Sequence, residues 1–344
     1  MKKLARNEMN TNIFYGLRLI IAAWLSFSIA VLSGVENAYW AAMPVWVISQ
    51  QTRGFMYQRG FYRITGTLVG AVIGLAILKM TTHPWILISI LFITIFVTIF
   101  LMRTSHGAKG YAPQMTAVTI VIILIPALFF KQHAWALASS RIECTFIGVI
   151  VATLITSRFT LNEKDTVWYK GLLKWQDTKE YADPGSPKQA LRFAAMASTG
   201  TLICACVFHL SSWKTGELVT LGVCIFTMAL ASLQNPYDMA LKMLFGVICG
   251  VMLAFVYRIS IQPYLTNTIV TVVTIIPFFL LGGILRCWKK TAAPALDGNM
   301  CFLLASQAGM TSVTTKIALN ECLALMLAVA LVACTYRVIL RPVA

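Results

Sequence analysis

Trp85-Ile-Leu-Ile-Ser-Ile-Leu-Phe-Ile-Thr-Ile-Phe-Val-Thr-Ile-Phe-Leu-Met102 contains no charged side chain. Crossing the hydrocarbon core of a bilayer takes about 20 mostly apolar residues, with a working range of about 17 to 25. This run meets that requirement. Similar runs lie upstream at 17–34, 38–50 and 62–80 and downstream at 112–130 and 134–157, with 38–50 short. A second set follows at 191–210, 218–233, 240–257, 268–285, 294–310 and 320–336. The pattern predicts an all-α polytopic transmembrane helical bundle of about 12 helices. The composition agrees: apolar residues are 58% of the 344 positions and mean hydropathy is +0.77, so lipid is the solvent for most of the chain.

The formal charge of +16 does not point to nucleic acid, because the basic residues sit in short clusters between apolar runs and form no continuous basic face. Membrane topology explains them better. Basic residues accumulate on the cytoplasmic side of short loops, and with twelve spans Lys79, Lys131, Lys214, Arg258 and Lys316 fall outside and Arg141 within a helix. All the others fall inside. Both termini are therefore expected in the cytoplasm of a bacterial inner-membrane, multi-pass protein. The basic, polar start Met1-Lys-Lys-Leu-Ala-Arg6 leads into a run without a small-residue cleavage pattern, so no cleaved signal peptide is expected.

The runs divide the chain into an N-terminal six-helix half (1–157), a cytoplasmic linker (158–190) and a C-terminal six-helix half (191–344). The linker carries Glu163, Asp165, Asp177, Glu180 and Asp183 and ends in the breaker Asp183-Pro-Gly-Ser-Pro187. It is too short to bury the core of an enzyme domain. The halves read as a repeat. Leu17-Arg18 and Leu191-Arg192 open each one, Trp40 and Trp213 follow, and Gly66, Gly70 and Gly74 answer Gly246, Gly250 and Ala254. An even number of helices per half predicts two parallel repeats related by an axis along the membrane normal. The glycine stripes read as close helix packing.

Candidate site residues stand out against this apolar background. Arg141 and Glu143 fall inside the sixth run, where a charge costs about 2.5–3.5 kcal/mol on insertion scales. Two residues apart, they do not share a helix face, so each needs a partner elsewhere. Arg141 suits a substrate carboxylate and Glu143 a proton; structural pairing or snorkelling to headgroups is the alternative. The short run around Asn37, Trp40 and Pro44 is broken by proline, and broken segments in transporters often line the substrate cavity. Its aromatic residues also suit a membrane interface. Arg53, Arg59 and Arg63 mark topology and would attract cytoplasmic anions. Asp238, Glu217 and Asp297 are further candidate proton carriers or helix-end acids.

Several chemistries have no support. The sequence lacks a G-x-x-x-x-G-K-[ST] phosphate loop. His83, His106, His133 and His209 are scattered without metal spacing, and the cysteines within apolar runs (Cys144, Cys204, Cys206, Cys224, Cys249, Cys322, Cys334) read as small hydrophobes. No cofactor, metal or catalytic residue is expected; the chain does not read as an enzyme.

Asn37-Ala-Tyr-Trp-Ala-Ala-Met-Pro-Val-Trp-Val-Ile-Ser-Gln-Gln-Thr-Arg-Gly54 and Tyr62-Arg-Ile-Thr-Gly-Thr-Leu-Val-Gly-Ala71 resemble the fusaric acid resistance family, which includes the p-hydroxybenzoic acid efflux pump subunit. The likeness extends to Leu191-Arg192, Asp238, Ala293-Pro294 and Arg341-Pro342, and so runs essentially through the chain. It implies export of aromatic carboxylic acids driven by the proton motive force, with a periplasmic membrane-fusion subunit and an outer-membrane channel as partners. Longer members carry sizeable cytoplasmic domains that have no counterpart here, and their acidic-Pro dipeptide is replaced by Asn235-Pro236 with the acid at Asp238. Two other readings stay open. One is a passive organic-anion channel, similar to the aluminium-activated malate transporters, and the other is a membrane scaffold. Self-association into a homo-oligomer is compatible with each.

Overall fold

The structure, a computed structural model, describes residues 2–48, 53–129, 134–159 and 186–339 apart from 212 and 214. Side chains are described from residue 13, and not at 53–55, 129 or 156–159. The remainder of the linker, 160–185, and its acids lie outside the described residues. All regular elements among the described residues are helical: α1 (Lys2–Leu32), a 3-10 turn (Ala38–Ala41), α2 (Met43–Ile48), α3 (Arg53–Met80), α4 (Pro84–Thr104), a 3-10 turn (Gly107–Gly110), α5 (Tyr111–Phe129) and α6 (Ala134–Phe159). After the linker come α7 (Pro187–Leu210), α8 (Gly216–Ala231), α9 (Pro236–Ser260), a 3-10 turn (Gln262–Tyr264), α10 (Thr268–Thr274), α11 (Ile276–Arg286), α12 (Ala292–Ser306) and α13 (Thr315–Ile339).

Every apolar run read from the sequence coincides with helix. Nine spans among the described residues are long and apolar enough to cross a membrane, and the segments Ala38–Ile48 and Gly216–Ala231 are shorter. So is α12, at 15 residues. The run 268–285 is not one helix, because it breaks between α10 and α11. Pro277 sits at the start of α11 and lacks the N–H that a continuing helix would give to Val273. Large apolar side chains such as Phe61, Val72, Met80, Ile93, Leu154 and Phe245 stand more than one-third exposed along these helices. Lipid, not water, is the solvent in which such a surface is stable. The chain is a multi-pass membrane protein.

The chain forms two compact units, and each draws on both halves of the sequence. The first comprises 1–60, 143–172 and 242–322; the second comprises 61–142, 173–241 and 323–344. In helical terms, the first takes helices one, two and most of six from the N-terminal half with three, four and five from the C-terminal half. The second takes the reciprocal set. The breaks fall between Gly60 and Phe61 and between Leu241 and Lys242, then between Ile142 and Glu143 and between Cys322 and Leu323. Their offset is, to within a residue, the offset that separates Gly66 from Gly246.

Within each unit the glycine stripe does the same job. In the second unit α3 lies against α5, and a Cβ at Gly66 would meet Ala112 O at 2.5 Å and one at Gly70 would meet Thr116 O at 2.6 Å. In the first unit a Cβ at Gly246 would meet the Pro294 carbonyl, and one at Gly250 the Gly298 carbonyl, closer still. The third helix of one half thus packs backbone to backbone on the fifth helix of that half, twice. Such contact needs glycine, because the obstacle is a carbonyl and cannot rotate away. Gly250→Val should therefore lower stability by about 1–3 kcal/mol through overpacking, read as a lower thermal midpoint of the detergent-purified protein. An unchanged midpoint would mean that α9 and α12 separate without loss.

Candidate functional site

The chain leaves α1 through two left-handed residues, Gly34 (φ 70) and Asn37 (φ 54). Asparagine tolerates this conformation better than other residues with side chains. Its Oδ1 accepts from the Tyr39 hydroxyl at 3.2 Å, and its carbonyl accepts from the Cys144 thiol of α6 at 3.6 Å. The short segment that follows is covered by protein: Ala38 through Trp46 are all buried. Trp40 lies edge-on to Tyr39, and Trp46 edge-on to Phe279 of α11. Pro44 rests on α6 so closely that a Cβ at Gly148 would meet its Cγ at 2.8 Å. At the other end of α2, Arg59 donates from Nη1 to the Val47 carbonyl at 2.9 Å.

The residues singled out in the sequence divide between the units. Asn37, Trp40 and Pro44 come together in the first, on α6, and Glu143 of the same unit is exposed on that helix. Arg63, Arg141 and Asp238 belong to the second. Arg63 is 2% exposed and donates from Nη1 to the Tyr111 hydroxyl at 2.6 Å, while its Nε is buried with no acceptor. Arg141 is 4% exposed. Asp238 is exposed in the first turn of α9, where a carboxylate favours the positive end of the helix dipole. Arg53 opens α3, and its side chain lies outside the described residues.

Two groups of residues that sequence reasoning treated as topology signals, or passed over, are built into the interior. In the second unit, Arg103 at the end of α4 donates from Nη1 to Ala231 O at 3.2 Å and Leu233 O at 3.3 Å, at the C-terminal end of α8. Its guanidinium also lies 4.7 Å over the ring of Phe193. Phe193 stacks on Tyr336, whose hydroxyl donates to Thr227 O at 2.9 Å.

In the first unit, Arg258 of α9 is 2% exposed; its Nη1 meets Glu321 Oε2 of α13 at 2.5 Å and Ala305 O of α12 at 3.2 Å. Gln307 also donates to that Glu321 oxygen, at 3.3 Å, and Gln262 donates to Met310 O at 3.2 Å. Gln307 pays for this position with a left-handed backbone (φ 46). The signal that could have revealed the cluster is a carboxylate at the start of one apolar run together with an arginine at the end of another.

The arrangement has a simple chemical sense. The last carbonyls of a helix have no partner in the helix and carry partial negative charge. In lipid no water can serve them. Each short helix, α2, α8 and α12, has a guanidinium at this end: Arg59, Arg103 and Arg258 respectively. A guanidinium carries five donors, so capping one or two carbonyls leaves it able to hold an anion as well. Among the described residues the charged side chains with least exposed surface are Arg18, Arg63, Arg103, Arg141 and Arg258. Among the described residues no group of three or more His, Cys, Asp or Glu is placed to hold a metal ion.

The Arg258–Glu321 pair gives a direct test of the network. Removing one partner of a buried pair costs about 3–5 kcal/mol because the other charge is stranded. Arg258→Gln should approach that loss. Glu321→Gln should cost less, since the amide oxygen still accepts from Arg258. Thermal midpoints of the two variants and of the double variant measure this, and purely additive losses would mean that the pair is not coupled.

Comparison with known proteins accords with this picture. An uncharacterized transporter, GOX0755, of Gluconobacter oxydans (strain 621H) is 22% identical over 157 residues, covering 43% of this chain and 21% of that protein. The uncharacterized transporter YdhK of Escherichia coli (strain K12) is 26% identical over 141 residues, covering 40% of this chain and 21% of its own length. YdhK of Salmonella typhimurium (strain LT2) is 29% identical over 139 residues, covering 40% and 20%. The chain thus matches only about one-fifth of the length of these relatives. No solved structure matches. Residues 12–167 and 172–344 match the Fusaric acid resistance protein family, and the chain belongs to that family of membrane proteins.

Proposed function

We propose that the chain is an inner-membrane secondary exporter of small aromatic carboxylic acids, driven by the proton motive force, with both termini and the linker in the cytoplasm. The observation that carries this reading is the sign of the buried charge. The charged side chains that protein covers most completely, among the described residues, are arginines, and a guanidinium shielded from water is costly unless an anion or carbonyl meets it. An apolar bundle with a positive interior favours organic anions. The relatives' description as transporters supports the same class.

An inside-negative cell assists anion export, since one charge moved through 100 mV is worth about 2.3 kcal/mol. In this reading Arg53, Arg59 and Arg63 gather the carboxylate at the cytoplasmic side. Asn37, Trp40 and Pro44 in the first unit, and Arg141 in the second, are each candidate contacts for it. Glu143 and Asp238 carry the proton, and Glu321, already hydrogen-bonded to Arg258, joins Glu217 and Asp297 as a further candidate for that role. A periplasmic membrane-fusion protein and an outer-membrane channel are the partners such an exporter would need to clear the envelope, and self-association is compatible with it.

The positive interior suits a passive anion channel equally, and flux measurements separate the two. Proteoliposomes holding the purified chain should accumulate radiolabelled benzoate above its equilibrium distribution when a pH gradient is imposed. Arg63→Gln and Arg141→Gln should each lower the initial rate by about tenfold, equivalent to about 1.4 kcal/mol. Flux that only dissipates a benzoate gradient would convert the reading to a channel, and no flux beyond that of protein-free vesicles would overturn both.

A further inference from the structure

The second unit contains a cavity of about 310 Å³ between α7, α8 and α13. That volume is at the lower end of the range for small-molecule sites, about 300–1,000 Å³. Its walls are mainly apolar, from Gly200 and Phe208 on α7 and Val223 on α8, and its hydroxyls gather where Thr227 of α8 meets Thr335 and Tyr336 of α13. Beyond this end lies Arg103. Tyr336, which lines the cavity, stacks on Phe193, and Phe193 carries the guanidinium on its face. Ala231, whose carbonyl takes one Arg103 hydrogen bond, is one helical turn beyond Thr227. Arg103 is 8% exposed and its Nε is buried without an acceptor.

Gly200 supplies an independent observation. Other helical glycines of this unit are packing contacts: a Cβ at Gly66, Gly70 or Gly222 would fall within 3 Å of a neighbour. A Cβ at Gly200 would meet nothing nearer than Val223 Cγ1, at 3.9 Å. Glycine inside a helix lowers its stability relative to alanine, and here no close approach requires it. The position lies on the cavity wall, where a Cβ would be in ordinary contact with Val223 and no closer to any neighbour.

We propose that this cavity is a binding site for a small aromatic carboxylate, its ring between Phe208 and Tyr336 and its carboxylate toward the Arg103 end. The ring is held by apolar and aromatic contact, and the charge is drawn by the buried Arg103 guanidinium behind Phe193 and Tyr336. Single-ring acids fit the volume. The site deepens the anion-export reading and rests on it for its role: with the proposed topology, the Arg103 end faces the cytoplasm, from which an exporter loads.

Because Arg103 also holds the end of α8, the discriminating substitution is at Gly200. Full-length protein in lipid nanodiscs should bind radiolabelled benzoate, and neutral benzyl alcohol should compete about tenfold less well or worse. Gly200→Leu extends a side chain from a wall position where a Cβ meets only ordinary contact, and should weaken benzoate binding by about tenfold or more at an unchanged thermal midpoint. Wild-type affinity in Gly200→Leu, or equal competition by benzyl alcohol, overturns the proposal. So does phospholipid that co-purifies in native mass spectra and is not displaced by benzoate, which would make the cavity a lipid seat. Transport by Gly200→Leu at the wild-type rate removes this site while leaving anion export intact. Benzoate binding by a wild-type chain that moves no benzoate across proteoliposomes removes export while leaving the site.

Discussion

In lipid, backbone N–H and C=O groups have no water to bond, and that constraint organises this protein. Long helices satisfy it by themselves. Among the described residues, α2, α8 and α12 are too short to cross by themselves, and each is met at its end by a polar side chain. α2 is covered on all sides by apolar and aromatic groups. α2, α8 and α12 each end against a guanidinium. Two of the five buried arginines, Arg103 and Arg258, are thus also caps of short helices. A helix that stops early exposes carbonyls, the carbonyls recruit a cation, and the cation brings donors beyond those the carbonyls use.

This coupling accounts for two of the guanidinium groups buried within the protein, Arg103 and Arg258. Part of the charge is compensated where it stands, by the negative ends of helix dipoles and, for Arg258, by Glu321. The compensation is incomplete by design of the donors: Nε of Arg63, Arg103 and Arg258 is buried without an acceptor. The same atoms that stabilise the fold thus leave capacity for an anionic ligand, and structural and binding roles need not compete for different residues.

Much of the architecture was legible in the sequence, because the signal that marks a membrane helix is local and strong. The short second run and its Pro44 were visible for the same reason. The break at Pro277 was also written in the chain, but inside a run apolar enough to read as continuous. The candidate site was less legible. Arg103 reads as an inside marker, and only the fold brings it to Ala231, 128 residues away. Arg258 and Glu321 are 63 residues apart, each at the edge of its run, where charges are ordinary. Nothing in periodicity or charge bias says which apolar face meets which, so the reciprocal exchange of helices between the halves had no sequence signal beyond the repeated glycines.

That exchange constrains the order in which the protein can be made. The first unit needs residues from the beginning of the chain and from 242–322, and the second needs 323–344 as well as 61–142. As the ribosome delivers helices to the membrane one after another, the early ones lack the partners they will finally hold. Neither unit can be completed until the second half has entered the bilayer. The six helices of one half, inserted alone, would contain no finished unit at all, so the two halves are bound to each other through assembly and not only through a shared peptide chain.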